Sequence, residues 1–333
     1  MSERRFLVVR LGSLGDIVHT FPAVAGLRNS FPHAEIIWLT HPRWVNLVTS
    51  SNLASEIWPV NSRDLANVRQ TIAKIRAQNW DAAIDYQGLW KSALLPFLAG
   101  VPKRIGFSSE TIREFGVPVL YTNRVHAHAT HIADQNGELS LQAGAQTSVG
   151  PVKLNVSESD YQRVKSDLAV AGITNYVVLS PGGGWRSKCW PPERFGELCR
   201  KIREELSLRC VINYGPGEEN LAAAVKSASG NAEPLVYDGE LSQLMALLQS
   251  AQCIVGGDTG PLHLAIALGT KAVAIFGPTN PERNGPYPPQ PFVLRDPAAA
   301  TTHKREIETN PSLLKISVAQ VFDAVKLQLG VSA

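Results

Sequence analysis

The 333-residue chain has only four cysteines, two methionines and no apolar run near the roughly 18–20 residues of a membrane-spanning helix. The cysteines, Cys189, Cys199, Cys210 and Cys253, show no CxxC spacing, which argues against a zinc site or disulfide framework and for reduced thiols. The N-terminus enters a strand of about five residues and then a glycine turn, too short a run for a secretory h-region. Charge of one sign is also scarce. A net charge of +3 gives no electrostatic footprint for nucleic acid. Residues 1–150 hold 14 Lys/Arg against 11 Asp/Glu, and the remainder holds 18 of each, so the small cationic excess belongs to the first half. Two nucleotide fingerprints are missing. Gly12 and Gly15 give GxxG rather than GxGxxG, which disfavours a nicotinamide dinucleotide, and there is no GxxxxGK[ST] P-loop. No Asp-x-Asp pair stands at a strand end to hold a catalytic metal.

What remains is a globular composition, 44% hydrophobic and 18% charged, in a chain long enough for two domains. Short apolar runs such as Phe6–Arg10, Glu35–Leu39, Glu56–Val60, Ala82–Tyr86 and Lys103–Phe107 read as strands, with helical segments such as 17–30, 63–78 and 132–146 between them. The pattern resumes after Gly150 with strands at Tyr176–Ser180, Cys210–Tyr214, Pro234–Tyr237, Cys253–Gly256 and Ala272–Phe276. Continuous apolar strands alternating with helices imply parallel sheets covered on both faces. The fold class is α/β: two doubly wound Rossmann-like domains, residues 1–155 and 156–312. The segment 278–312 reads as a long irregular loop. A C-terminal helix lies within 313–333 and is expected to pack back toward the first domain.

Four glycine turns follow strands of the second half. Ser180-Pro-Gly-Gly-Gly-Trp-Arg-Ser-Lys-Cys-Trp-Pro191 offers backbone N–H groups together with Ser187 and Lys188, donors suited to a diphosphate. Tyr214-Gly-Pro-Gly-Glu-Glu219 places a carboxylate where ribose hydroxyls commonly donate, and it reads equally well as a helix-dipole partner. Ile254-Val-Gly-Gly-Asp258-Thr259-Gly260-Pro261 ends a strand and opens a helix, where free N–H groups and the dipole suit a phosphate. Phe276-Gly-Pro-Thr-Asn280 is the fourth. Together they describe a nucleotide-diphosphate site. In the first half, Gly12-Ser-Leu-Gly-Asp16 leaves Asp16 in a first helical turn, either as a cap or as a base. Lys91, Arg113, Arg124 and nearby histidines form a basic stretch; their alternative is a solvated surface. Trp90 beside Lys91 reads as packing.

These motifs, in this order and spacing over nearly the whole chain, resemble the ADP-heptose:lipopolysaccharide heptosyltransferases of glycosyltransferase family 9. Within that family Asp85-Tyr-Gln-Gly-Leu-Trp-Lys-Ser92, Arg113-Glu114 and the stretch Arg124–His131 resemble the heptosyltransferase I branch. The resemblance implies a GT-B architecture, two domains facing across a cleft, with ADP-heptose as donor and the Kdo of the lipid A inner core as acceptor. It implies an inverting reaction with neither cofactor nor metal, in the cytoplasm on the inner-membrane face. By the same resemblance Asp16 is the general base and Lys188 binds and stabilises the leaving diphosphate. Gly183, Ser187, Glu218 or Glu219, Asp258, Thr259, Gly260, Leu262 and His263 bind the nucleotide-sugar, and Gly15, Lys91, Arg113 and Arg124 the acceptor. The alternatives are a heptosyltransferase II or related nucleotide-sugar transferase, a catalytically silent sugar-nucleotide binder, and, disfavoured by the missing fingerprint, a Rossmann oxidoreductase.

Overall fold

The structure is a computed structural model describing residues 4–112, 114–302 and 308–331. The chain divides into two compact units, Met1–Asn155 and Val156–Ala333. In the first, β1 (Arg5–Val9), β2 (Glu35–Thr40), β3 (Glu56–Pro59), β4 (Ala82–Asp85), β5 (Arg104–Phe107) and β6 (Asn123–Val125) form one sheet in the order β3-β2-β1-β4-β5-β6. Every pairing is parallel. Beyond Arg5 and Glu35 at their starts, the central strands are buried along their length, as expected where helices cover both faces of a sheet.

The second unit repeats this winding. Its strands are β7 (Tyr176–Ser180), β8 (Arg209–Asn213), β9 (Leu235–Tyr237), β10 (Cys253–Gly257), β11 (Ala272–Phe276) and β12 (Val293–Arg295). Their order is β12-β11-β10-β7-β8-β9, again all parallel. In each sheet the chain winds outward in one direction, returns to the centre and winds outward in the other. The reversal falls between β1 and β4 in the first unit and between β7 and β10 in the second. Ligands of open α/β sheets bind beyond the carboxyl ends of the strands at such a point.

Two sequence expectations need correction. The helix expected over 17–30 is two helices, Leu14–Val18 and Phe21–Ser30; Pro22 lacks the N–H that would continue the ladder to Val18. The segment 278–312 is not wholly irregular: it holds a short helix at Pro281–Asn284, the edge strand β12 and a turn of helix at Pro311–Leu314. The last helix, Val318–Leu329, belongs to the second unit. Its Val318, Val321, Phe322 and Val325 share one core with Trp190, Phe195, Val273 and Ile275. Trp190 Nε1 donates to the Ile316 carbonyl at 3.1 Å, and Arg194 donates to the carbonyls of Leu313, Leu314 and Ile316. Those bonds tie the C-terminal segment to the helix Pro192–Leu206. All four cysteines are buried free thiols, and burial pushes Cys253 up to about 12. No helix of the described residues is long and apolar enough to cross a membrane.

Candidate functional site

The four glycine turns leave four adjacent strands, β11, β10, β7 and β8, at one edge of the second sheet. The reversal point lies in the middle of them. Lys188 sits in a tight turn, Arg186–Lys188, after β7, and Asp258 directly follows β10. The two side chains are nearly buried and meet at 2.6 Å, Lys188 Nζ to Asp258 Oδ2. The other carboxylate oxygen lies 3.0 Å from His263 Nε2, one turn into the helix Gly260–Ala267. Burial alone would raise the Asp258 carboxyl. The His263 hydrogen bond and the Lys188 charge outweigh burial and hold the group well below the usual carboxylate range. Lys188 also lies 4.6 Å from the Trp185 ring centroid, a cation–π contact that fixes the ammonium without neutralising it.

Around this pair the hydroxyls of Ser187, Thr259 and Thr279 are buried with no hydrogen-bond partner among the described residues. Buried hydroxyls are ordinarily satisfied, so three unsatisfied ones on the turns after β7, β10 and β11 point to a polar ligand. Gly260 opens the helix with Pro261 next, which leaves backbone N–H groups of its first turn without intrahelical acceptors. Leu262 is buried and forms part of the helix's packing face. Asp258 was expected to meet sugar hydroxyls; in the structure its two oxygens are already engaged by Lys188 and His263.

Glu218 and Glu219, inseparable in the sequence, stand in different places. The Glu218 carboxylate accepts from Gly183 N–H at 3.0 Å and from Gly215 N–H at 2.8 Å, so it joins the turns after β7 and β8. A Cβ on Gly182 would lie 2.1 Å from Glu218 Oε2, so a side chain there would displace the carboxylate. Glu219 is exposed and accepts from Gly217 N–H in its own turn at 3.1 Å.

In the first unit Asp16 follows β1, beside the other reversal point. Its Oδ2 accepts from Ser13 N–H at 3.0 Å and Ser13 Oγ–H at 2.9 Å, so it does cap the helix Leu14–Val18. Its Oδ1 pairs with Arg10 Nη2 at 2.7 Å, and the side chain stays 48% exposed. A cap and an accessible carboxylate therefore coexist. Arg10 is buried and also donates to the Tyr86 carbonyl. Sequence reading missed it because it stands at the end of an apolar strand; a lone cation in such a strand, six positions before an aspartate, was the available signal. Gly15 lies in the capped helix, its carbonyl accepting from His19 N–H. Asp85, at the end of β4, is fully buried and accepts from Gln87 and Gly88 N–H, Ser92 Oγ–H and Tyr121 O–H. Gln87 in turn accepts from Leu11 N–H at 2.7 Å, which links this motif to the turn that carries Asp16.

Lys91 lines a cavity of about 350 Å³ with His41, Asn61, Ser62 and Arg63, four residues the sequence did not single out. Arg124 is exposed, its Nε donating to the Pro118 carbonyl at 2.9 Å. Arg113 lies outside the described residues.

The family model for glycosyltransferase family 9 (heptosyltransferase) matches residues 68–313. Lipopolysaccharide heptosyltransferase 1 of Escherichia coli K12 is 27% identical over 307 residues, 88% of this chain and 94% of that protein. Lipopolysaccharide heptosyltransferase 3 of the same strain is 24% identical over 279 residues, 80% of each. The solved structure of E. coli ADP-heptose lipopolysaccharide heptosyltransferase II superposes with a TM-score of 0.82 at 20% identity, covering 98% of both chains. That likeness gives the fold, GT-B. The family match spans well over half of the chain, and the protein belongs to glycosyltransferase family 9, the heptosyltransferases, as a sugar-transferring enzyme.

Proposed function

We propose that the enzyme transfers heptose, with inversion, from ADP-heptose to the Kdo of the lipid A inner core, at the cytoplasmic face of the inner membrane. The observation that carries the donor side is the Lys188–Asp258–His263 constellation, surrounded by unsatisfied buried hydroxyls at the reversal point of the second sheet. Lys188, with the N–H groups of Thr259 and Gly260 and the Ser187 hydroxyl, holds the diphosphate, while Glu218 fixes the Gly183 turn beside it. Glu218 holds the ribose, because its carboxylate lies between the turns after β7 and β8. His263 and Asp258 orient Lys188, and Asp258 presents its remaining lone pairs to sugar hydroxyls.

A sugar hydroxyl is a poor nucleophile at neutral pH. Asp16 accepts its proton as the oxygen attacks the anomeric carbon, and the bond from that carbon to the ADP oxygen breaks on the opposite face. Such general-base assistance contributes about 10²–10⁴-fold. Lys188 offsets the negative charge that accumulates on departing ADP, and no step is routed through a metal. Gly15, Lys91, Arg113 and Arg124 serve the acceptor. The polar cavity at Lys91 supports that assignment, since His41, Arg63 and Lys91 suit the carboxylates of Kdo or a lipid A phosphate.

The test is mass spectrometry of Kdo₂-lipid A after incubation with ADP-heptose and the protein. The expected result is one added heptose. An unchanged Kdo₂-lipid A together with extension of an acceptor that already carries heptose would assign the enzyme to a later step of the same core. Donor binding with no transfer to either acceptor would make it a silent sugar-nucleotide binder.

A further inference from the structure

One face of the first unit carries apolar side chains that stand exposed among the described residues. Phe115, 99% exposed, stands at a loop tip, and Val119 is exposed on the turn Val117–Leu120 that follows. The helix Trp90–Leu98 adds Trp90, Phe97 and Leu98, all exposed. Trp90, read from the sequence as packing, has its ring edge against Gly116, where a Cβ would lie 3.1 Å from Cζ2, and Glu114 accepts from its N–H at 2.8 Å. At the other end of the helix, the Arg104 guanidinium lies 5.4 Å from the Phe97 ring centroid and donates to the Leu120 carbonyl. These contacts join loop, turn and helix into one surface. The turn is held from beneath by Val117, Leu120 and Tyr121 packed on Ala93.

The rim is cationic. Arg76 donates to the Leu98 carbonyl at 2.6 Å, Arg124 to that of Pro118, and Lys91 follows Trp90. Among the described residues no carboxylate stands within ion-pair distance of Arg76, Lys91, Arg104 or Arg124. The Arg76, Arg104 and Arg124 guanidinium groups donate to backbone carbonyls, which leaves their positive charge in place.

We propose that this face docks on an anionic lipid surface, with Phe115, Val119, Phe97 and Trp90 entering the headgroup region and the arginines and Lys91 contacting lipid phosphates. Protruding aromatic and aliphatic side chains ringed by unpaired cations match such an interface in both apolarity and charge. A buried protein–protein interface would instead leave several of these cations desolvated and unpaired, at a cost. The proposal rests on the membrane location proposed above and shares Lys91 and Arg124 with the acceptor side, and vesicle binding tests it without either substrate.

The experiment is cosedimentation of the full-length protein with vesicles of phosphatidylglycerol and phosphatidylethanolamine, against vesicles of phosphatidylcholine alone. Wild type is expected to bind the anionic vesicles and to be released by salt. Phe115→Gln with Phe97→Gln should lower partitioning about tenfold or more, the effect of withdrawing two aromatic side chains from an apolar layer. Phe115→Gln alone should lower it in part, and at a fully exposed position it leaves folding untouched. Arg76→Gln should weaken binding to anionic vesicles and leave neutral ones unaffected. With a deacylated, water-soluble acceptor, Phe115→Gln should transfer at the wild-type rate. Failure of wild type to bind anionic vesicles, or wild-type binding by the double variant, would overturn the proposal. So would a wild-type dimer in sedimentation velocity that Phe115→Gln splits into monomers.

Discussion

Lys188 and Asp258, seventy positions apart in the chain, close a nearly buried ion pair at 2.6 Å across the point where the second sheet reverses its winding. A buried pair of this kind has little net effect on stability while intact, because desolvation offsets attraction, but removing one partner strands the other charge. Lys188→Ala should therefore do two things at once. It should destabilise the second unit by at most about 3–5 kcal/mol, because the buried carboxylate keeps only its His263 bond. It should also raise the Kd for ADP-heptose about 10–100-fold through loss of one charge-assisted contact to phosphate. Thermal unfolding and calorimetric titration read the two effects separately. A Lys188→Met, Asp258→Leu double variant should recover most of the stability and none of the binding. Recovery of both would remove Lys188 from the donor site.

The same pair makes a pH prediction. Asp258 is held below the ordinary carboxylate range, so its stabilising contribution is fully present above the unfolded value near ~3.9. It is lost only as pH falls through the depressed folded value. The Tm difference between wild type and Asp258→Asn should stay constant between about pH 5 and 8 and shrink below about pH 4. A difference that already collapses between pH 7 and 5 would show that Lys188 and His263 do not hold the carboxylate in its ionised form.

Gly182 offers a steric test of the Glu218 bridge. A Cβ there would lie 2.1 Å from Glu218 Oε2, so Gly182→Ala must push the carboxylate away from Gly183 and Gly215. Two partly buried N–H groups then lose their acceptor, at about 1 kcal/mol or more apiece. The turns after β7 and β8 should loosen, and the Kd for ADP should rise about tenfold. If Glu218 is the agent, Gly182→Ala added to Glu218→Ala should change nothing further. An additive loss would mean that the glycine acts through its own backbone.

How much of this was readable in advance follows from the physics of parallel sheets. Strands covered on both faces must be apolar throughout, so β1, β2, β4, β7, β10 and β11 stood out as runs, and glycines at their ends marked the turns. The edge strands β6 and β12 are three residues long, carry an arginine each and have no fully buried position, so they lack the apolar run that marks the others. Candidate residues next to a strand end, such as Asp16, Lys188 and Asp258, were visible for the same reason. Their partners were not. That Asp258 meets Lys188, or that Arg10 turns from its strand toward Asp16, depends on side-chain direction across a crossover, which spacing along the chain does not encode. The cavity of His41, Asn61, Ser62 and Arg63 lies beyond the ends of β2 and β3 and has no motif of its own.

Asp16 carries the sharpest prediction, because it holds two structural bonds as well as a proposed chemical one. Asp16→Ala would remove the bonds from Ser13 and the partner of Arg10 together, and an inactive protein would not say which loss mattered. Asp16→Asn keeps the side chain's shape and an oxygen for Ser13 N–H, and it removes the capacity to take a proton together with the negative charge beside Arg10. With Asn, kcat should fall about 10²–10⁴-fold. The Kd for ADP-heptose should move by less than about twofold, since the groups assigned to that ligand lie in the second unit. The alanine variant should lose a further ~1 kcal/mol of stability from the missing cap and gain no activity. Wild-type turnover in the asparagine variant would leave Asp16 as a helix cap alone, and the base would have to be sought elsewhere along the carboxyl ends of the first sheet.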